Sequence, residues 1–288
     1  MTAASELGGG APPEERALTI AIDGPGGSGK STLGAALAGR LGYTYFDSGA
    51  VYRALTWLAL HRNVDPSDEG ALARLARRMA LQVTRPTVED GRQYTVLVDG
   101  HDVTWAIRSP EVDQHVSAVS AHPAVREALT QRLRQFAARD GRGSGGLVMV
   151  GRDIGTVVLP GADLKLYLTA AVQERARRRC AELRARGQPA EYDAILADLR
   201  RRDAIDSARA AAPLRPAGDA LHLDSDRLTV DDEVEFVLRQ LARPATRTSP
   251  ARNPALRAQR GSVERQPDHT QAPVGPSDPL AASDERPR

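Results

Sequence analysis

Apolar residues fall in short runs along this chain, separated by longer amphipathic stretches. Leu18–Asp23 (LTIAID) is an apolar run that stops at a glycine-rich turn, and apolar residues recur at helical spacing from Lys30 to Leu41. Tyr43–Phe46 predicts a second strand, and Ser48 is placed to cap a helix through Leu60. Leu147–Val150 and Leu164–Thr169 predict further strands, and arginine-rich helices cover Val172–Arg186 and Tyr192–Asp206. Ala220–Asp224 (ALHLD) reads as a last strand. Thr229 then caps a helix to Leu241, with Asp231 and Asp232 in the first turn, where the helix dipole favours them. Strand and helix alternate, which predicts an α/β fold: a parallel sheet flanked by crossover helices.

One segment breaks the alternation. Leu81–Arg85 and Tyr94–Val98 show period-two patterning around a Glu-Asp-Gly turn, which suits an antiparallel hairpin. Residues 65–120 are therefore expected to form an inserted subdomain on a core spanning 17–242. Residues 1–16 carry Gly, Ala, Pro and Glu without periodicity and are expected to be a disordered leader. From 243 to 288 the chain repeats proline and arginine and has almost no aromatic or β-branched residues. Such a stretch buries too little apolar surface to offset an ordering entropy of about 1–2 kcal/mol per residue, so a flexible tail is expected.

Composition narrows the function. Of 288 residues, 39 are basic and 37 acidic, and the tail alone holds eight arginines against five acids, so the basic surplus is mostly the tail's. A nucleic-acid-coating protein needs a larger excess, so no nucleic-acid partner is expected. No apolar run is long enough to span a membrane and no signal peptide opens the chain, which points to the cytoplasm. Cys180, the one cysteine, cannot form an internal disulfide and is expected on a helix surface as a bystander. The six histidines are scattered without metal-ligand spacing. Lysine occurs only at Lys30 and Lys165, so a motif that needs lysine has few places to be.

Gly24-Pro25-Gly26-Gly27-Ser28-Gly29-Lys30-Ser31 fits G-x-x-x-x-G-K-[ST], after a strand and before a helix. Backbone N–H groups of such a loop turn inward around phosphate oxygens, and the helix N-terminus adds partial positive charge. Lys30 can reach the β- and γ-phosphates of a nucleoside triphosphate, and Ser31 offers a hydroxyl to Mg²⁺. Neither asparagine precedes a lysine, so the guanine-reading Asn-Lys-x-Asp motif is absent. None of the predicted core strands ends in the Asp-Glu of motor and transporter ATPases. The small-molecule kinases remain. They need a second anion site facing the transferred group, and arginines at strand ends are the expected signature. Candidates are Ser48 and Arg53 after the second strand, Arg152 and Asp153 after Leu147–Val150, and Arg202, Asp206 and Arg209 on one face of a continuous late helix. Taken alone, on an arginine-rich helix, that last set reads rather as a solvated salt-bridge face.

The segments IAIDGPGGSGKST, YFDSGAVYRALTWLALHR, HPAVREAL, VGRDIGTVVLPGADLKLYLTA and RRDAIDSARAAAPLRPAGDALHLDS closely resemble, in that order, the bacterial cytidylate kinases. The resemblance spans Leu18 to Ala242 and includes the inserted hairpin. It implies a P-loop sheet with a lid at about 187–213 and an enlarged monophosphate-binding insert. It also implies transfer of the γ-phosphoryl group of MgATP to CMP or dCMP by a monomer. Gly24 to Thr32 would cradle the ATP phosphates. Ser48, Arg53 and Arg152 would hold the acceptor phosphate, and Ser117, Arg126 and Asp153 would read the cytosine edge. Asp206 and Arg202 would contact the ribose, and Arg209 would bridge the phosphates, so Lys30, Arg152, Arg202 and Arg209 form the catalytic set. From the residues alone, Arg126 can equally pair with Glu127, and Ser117 has no local signal. Other small P-loop kinases, acting on UMP, dTMP or a metabolite such as shikimate, are the nearest alternative; a nucleotide-binding regulator that has lost transfer is another.

Overall fold

A computed structural model describes residues 17–143 and 145–242; the expected leader and tail lie outside the described residues. Strand β1 (Leu18–Asp23) runs into the glycine loop and helix α1 (Lys30–Leu41), followed by β2 (Thr44–Asp47) and α2 (Ser48–His61). The inserted region holds α3 (Glu69–Arg78), β3 (Leu81–Thr84), β4 (Thr95–Val98), β5 (His101–Asp102), a 3-10 turn at Ala106–Arg108 and α4 (Pro110–Val119). The chain continues through α5 (Pro123–Gly143), β6 (Gly146–Gly151), a π-helical turn at Ile154–Val158 and β7 (Leu164–Thr169). Helices α6 (Val172–Ala185) and α7 (Tyr192–Ala208) precede β8 (Leu221–Asp224) and α8 (Val230–Leu241). Among the described residues, no helix is long and apolar enough to cross a membrane.

The main sheet is parallel, in the order β2-β6-β1-β7-β8. Its central strands are apolar at nearly every position because both faces are covered. On β1, Ile20 and Ile22 face one core with Val148, Val150, Leu33, Leu37 and Val237, under α1 and α8. Ala21 faces the other core with Leu147, Met149, Phe46, Leu55 and Leu129, under α2 and α5. Val96, Val98 and Ile107 of the insert are fully buried in that second core, so the insert shares a core with α2 instead of building its own.

The insert carries the expected antiparallel pair, with Leu81 opposite Val98 and Thr84 opposite Thr95. The tight turn lies elsewhere than expected. Residues 85–94, which contain the Glu-Asp-Gly, form a long connection, whereas Asp99-Gly100 joins β4 to β5 with both φ angles positive, at 50° and 83°. Asp-Gly is the pair that supplies two left-handed residues at least strain. Three further expectations are corrected. Asp47 caps α2, accepting Gly49 N–H at 2.8 Å, so Ser48 is already helical and buried. Helix α7 stops at Ala208, and Arg209 has extended backbone. Cys180 is 4% exposed, since it lies on the inward face of α6 with Ala176 and Arg175.

Helix α1 lies close against the sheet at Gly34, where a Cβ would sit 2.6 Å from Val150 Cγ1; at Gly39, on its exposed side, a Cβ would meet nothing within 4 Å. Gly39→Ala should therefore raise stability by about 0.5–1 kcal/mol through helix propensity. Gly34→Ala should lower it by about 1–3 kcal/mol, because overpacking outweighs the same gain. Urea unfolding of both variants checks the opposite signs.

Candidate functional site

Register brings the chemistry together. Asp23 at the end of β1 pairs with Gly151 at the end of β6, and Asp47 at the end of β2 pairs with Val150. The glycine loop, Ser48 and Arg152 thus emerge side by side at one edge of the sheet, where open parallel sheets leave a crevice. Gly24 has φ 151°, and a Cβ there would lie 2.1 Å from Leu168 O, so only glycine lets the loop leave between strands. Gly29, with φ 96°, turns the chain into α1.

Lys30 is buried, and its Nζ donates to Pro25 O at 2.6 Å and lies 3.4 Å from Ser28 Oγ, so the loop closes around the ammonium. Burial, together with the charge of Arg152, pushes its pKa down to about 7, against the opposing pull of Asp47, Asp23 and Asp206. Ser31 Oγ is 3.3 Å from Asp47 Oδ2. Thr32 is exposed and, with Gly29, lines a cavity of about 240 Å³ whose other walls are Arg178, Leu228, Thr229, Val230 and Glu233.

Cations face this loop. Arg152 Nε donates to Asp206 Oδ2 at 2.6 Å, and its Nη2 would be 3.3 Å from a Cβ on Gly26, so the guanidinium stands beside the loop. Arg209 Nη1 is 3.5 Å from Asp206 Oδ1, while its buried Nε and Nη2 have no partner. Although α7 ends before Arg209, the chain turns back, with Leu214 N–H donating to Asp206 O at 2.8 Å, and this keeps the residue inside. Burial and the nearby charge of Arg126 hold its pKa below the usual arginine value. Unpaired buried donors in a field of like charge are suited to an anion.

Beside them, Arg126 donates to Asp153 Oδ2 and, at 3.1 Å, to Ser120 O, and it stacks 5.2 Å over the Tyr52 ring; its Nε is unpaired. It does not pair with Glu127. Ser117 is buried one turn before Ser120, whose Oγ donates to Ser117 O at 3.1 Å. Ser48 Oγ lies against Gly151, where a Cβ would be 2.4 Å away. Arg53 and Arg202 both donate to the carboxylate of Asp113, and Arg53 also donates to Ile107 O at 3.1 Å.

Several residues that the sequence did not mark join the site. Asp23 accepts the N–H groups of Ile154 and Gly155, each at 2.7 Å, which anchors the turn that carries Arg152 and Asp153. Burial pushes its pKa up to about 6 against those two bonds. Its position at a strand C-terminus was the available signal. Arg175, buried on α6, holds Gly26 O at 3.0 Å and Asp203 Oδ2 at 2.6 Å, and so ties the loop to α7. Nothing local distinguishes it from the arginines around it.

A cytidylate kinase family model matches residues 20–243. The chain is 54% identical over 222 residues to the cytidylate kinase of Chloroflexus aggregans, covering 77% of this chain and 93% of that one. It is 50% identical over 220 residues to that of Herpetosiphon aurantiacus, covering 76% and 92%. To that of Bacillus licheniformis it is 44% identical over 225 residues, covering 78% and 96%.

Asp23→Asn leaves a single side-chain oxygen to accept from Ile154 and Gly155. One buried N–H then goes unpaired, and stability should fall by about 1–3 kcal/mol in urea unfolding. An unchanged midpoint would show that the turn is anchored by other contacts.

Proposed function

The chain belongs to the cytidylate kinase family, and on that premise we propose how its residues move the γ-phosphoryl group of ATP onto the 5′-phosphate of CMP or dCMP, giving ADP and CDP or dCDP. The observation that carries the assignment of roles is the pairing of a phosphate-cradling loop with an arginine set across one crevice, Arg152 standing between the two. In this reading the amides of Gly24 to Gly29, with Lys30, Ser31 and Thr32, hold the ATP phosphates at the positive end of α1. The cavity beside Thr32 takes the base of ATP, between the planar guanidinium of Arg178 and the exposed apolar Leu228 and Val230.

Across the crevice, Ser48, Arg53 and Arg152 hold the acceptor phosphate, and Arg202 and Asp206 hold the ribose. Ser117, Arg126 and Asp153 read the base. The Asp153 carboxylate can accept from the exocyclic amine of cytosine, which uracil lacks. Arg209 brings its unpaired donors onto the phosphates. Transfer passes through a loose state with charge spread over the moving group, so placement and electrostatic stabilisation do most of the catalysis. The acceptor oxygen is already a nucleophile and needs no base. The Ser31 hydroxyl and the Asp47 carboxylate beside it are the hard oxygen donors that Mg²⁺ prefers, so these residues fit the ion. When bound, Mg²⁺ neutralises charge on the β- and γ-phosphates. The proposed setting is a cytoplasmic monomer acting on free nucleotides, with no nucleic-acid partner.

ADP release measured in parallel with CMP, dCMP, UMP and AMP should favour the two cytidine nucleotides, and a preference for UMP or AMP would overturn the acceptor assignment. Arg126→Ala should raise the KM for CMP about tenfold or more and narrow the gap to UMP, leaving the KM for ATP within about twofold. Equal changes in both would remove Arg126 from base reading.

Lys30 generates a pH prediction. With a pKa of about 7 it is mostly neutral at about pH 8, and phosphate anions raise that pKa, so ATP binding should take up close to one proton there and few at about pH 6. Calorimetry in buffers of different ionisation enthalpy measures the uptake. Lys30→Ala should abolish it and lower kcat by about 10³-fold or more.

A further inference from the structure

Asp113, on α4, gathers three arginines from three other elements. Arg53 of α2 and Arg202 of α7 both donate to its Oδ1, Arg202 at 3.1 Å, and Arg179 of α6 reaches Oδ2 at 3.1 Å. Arg202 also donates to the main-chain carbonyl of Asp113 at 3.2 Å. Burial pushes the Asp113 carboxyl up, but the charges of Arg53 and Arg202 more than reverse this and hold it below the usual range. Other acids touch the same arginines: Glu182 lies 2.8 Å from Arg179, and Asp198 lies 3.6 Å from Arg202. Each of these sits on the same helix as its arginine, however, and so ties no helix to another. Among the described contacts, Asp113 is the carboxylate that all three cations share. A second contact joins the same elements, because Arg186, just after α6, stacks 5.6 Å over the ring of Trp105 in the insert.

We propose that Asp113 is a positioning residue. Its charge lets Arg53 and Arg202 stand together on the acceptor side of the crevice, and it draws α6 and α7 onto the insert before the acceptor arrives. Three guanidinium groups converging without a counter-charge repel, and the element freest to withdraw is the α6–α7 hairpin, which is held to the insert by these side-chain contacts. Glu182 and Asp198 offset part of the charge on Arg179 and Arg202, and the Asp113 carboxylate supplies the share that Arg53 and Arg202 need to stand side by side. The role in catalysis rests on the reading above that Arg53 and Arg202 serve the acceptor.

Asp113→Asn in the full chain keeps the shape and removes the charge. The expected result is a KM for CMP raised about tenfold, with kcat and the KM for ATP within about twofold. Amide exchange over α7 in the substrate-free protein should quicken about tenfold and slow again with ADP and CMP present. Asp113→Glu should restore most of both. An unchanged KM for CMP, or α7 exchange equal to wild type in the free variant, overturns the proposal. So does a fall in kcat and melting temperature with KM intact, which would make Asp113 a structural ion pair. If Asp113→Asn folds poorly, Arg179→Gln, outside the proposed binding set, should quicken exchange over α6, and no change there overturns the proposal equally. Arg53→Ala separates the two readings: an unchanged KM for CMP refutes the acceptor role of Arg53, while the exchange measurement still judges Asp113.

Discussion

Cations gathered at one edge of a sheet must first tolerate one another, and this repulsion governs how the crevice is built. Lys30, Arg53, Arg126, Arg152, Arg202 and Arg209 lie on different elements, and several are buried, where like charges interact far more strongly than in water. The protein places carboxylates between them. Asp206 takes Arg152 and Arg209, Asp153 takes Arg126, and Asp113 takes Arg53 and Arg202. Each pairing also fixes a guanidinium in orientation, so the counter-ions set geometry as well as charge. Where pairing is incomplete, at Arg209 and at the Nε of Arg126, donors remain for a substrate.

The parallel sheet makes this gathering possible. Because neighbouring strands point the same way, the C-terminal ends of β1, β2 and β6 reach the same edge, and each continues into a segment with polar side chains. Asp23 then links two of those ends, bonding the turn after β6 from the tip of β1. Loop and arginine are therefore placed by one short hydrogen-bonded connection, and the apolar cores on both faces hold the strands that carry them.

Among the described residues, neither α6 nor α7 contributes a side chain to the two apolar cores, one of which the insert shares. Their meeting with the insert is carried by arginine: on Asp113, and over the ring of Trp105. Contacts of this kind weaken with salt and with charge removal more than a packed core does. In the function proposed above, the parts that admit and release nucleotides are thus joined by the more labile interactions, and the sheet beneath by the less labile ones.

Local chemistry was legible in the sequence wherever one segment contains the whole signal. The P-loop motif lies within eight consecutive residues, β1, α1 and β7 lie where apolar periodicity puts them, and the Thr229 cap is realised as a capping box with Asp232. Signals that depend on a neighbour were misread. Ser48 looks like a cap until Asp47 takes the role, and Cys180 looks exposed among arginines until α6 turns it inward. The partners of Asp113 stand 60, 66 and 89 residues away along the chain, and the bond from Asp23 to Ile154 spans 131 residues. A sequence fixes which charges exist and how each segment bends locally. Which carboxylate neutralises which arginine is decided only when distant strand ends and helices are brought together, because electrostatic pairing depends on distance in space and not along the chain.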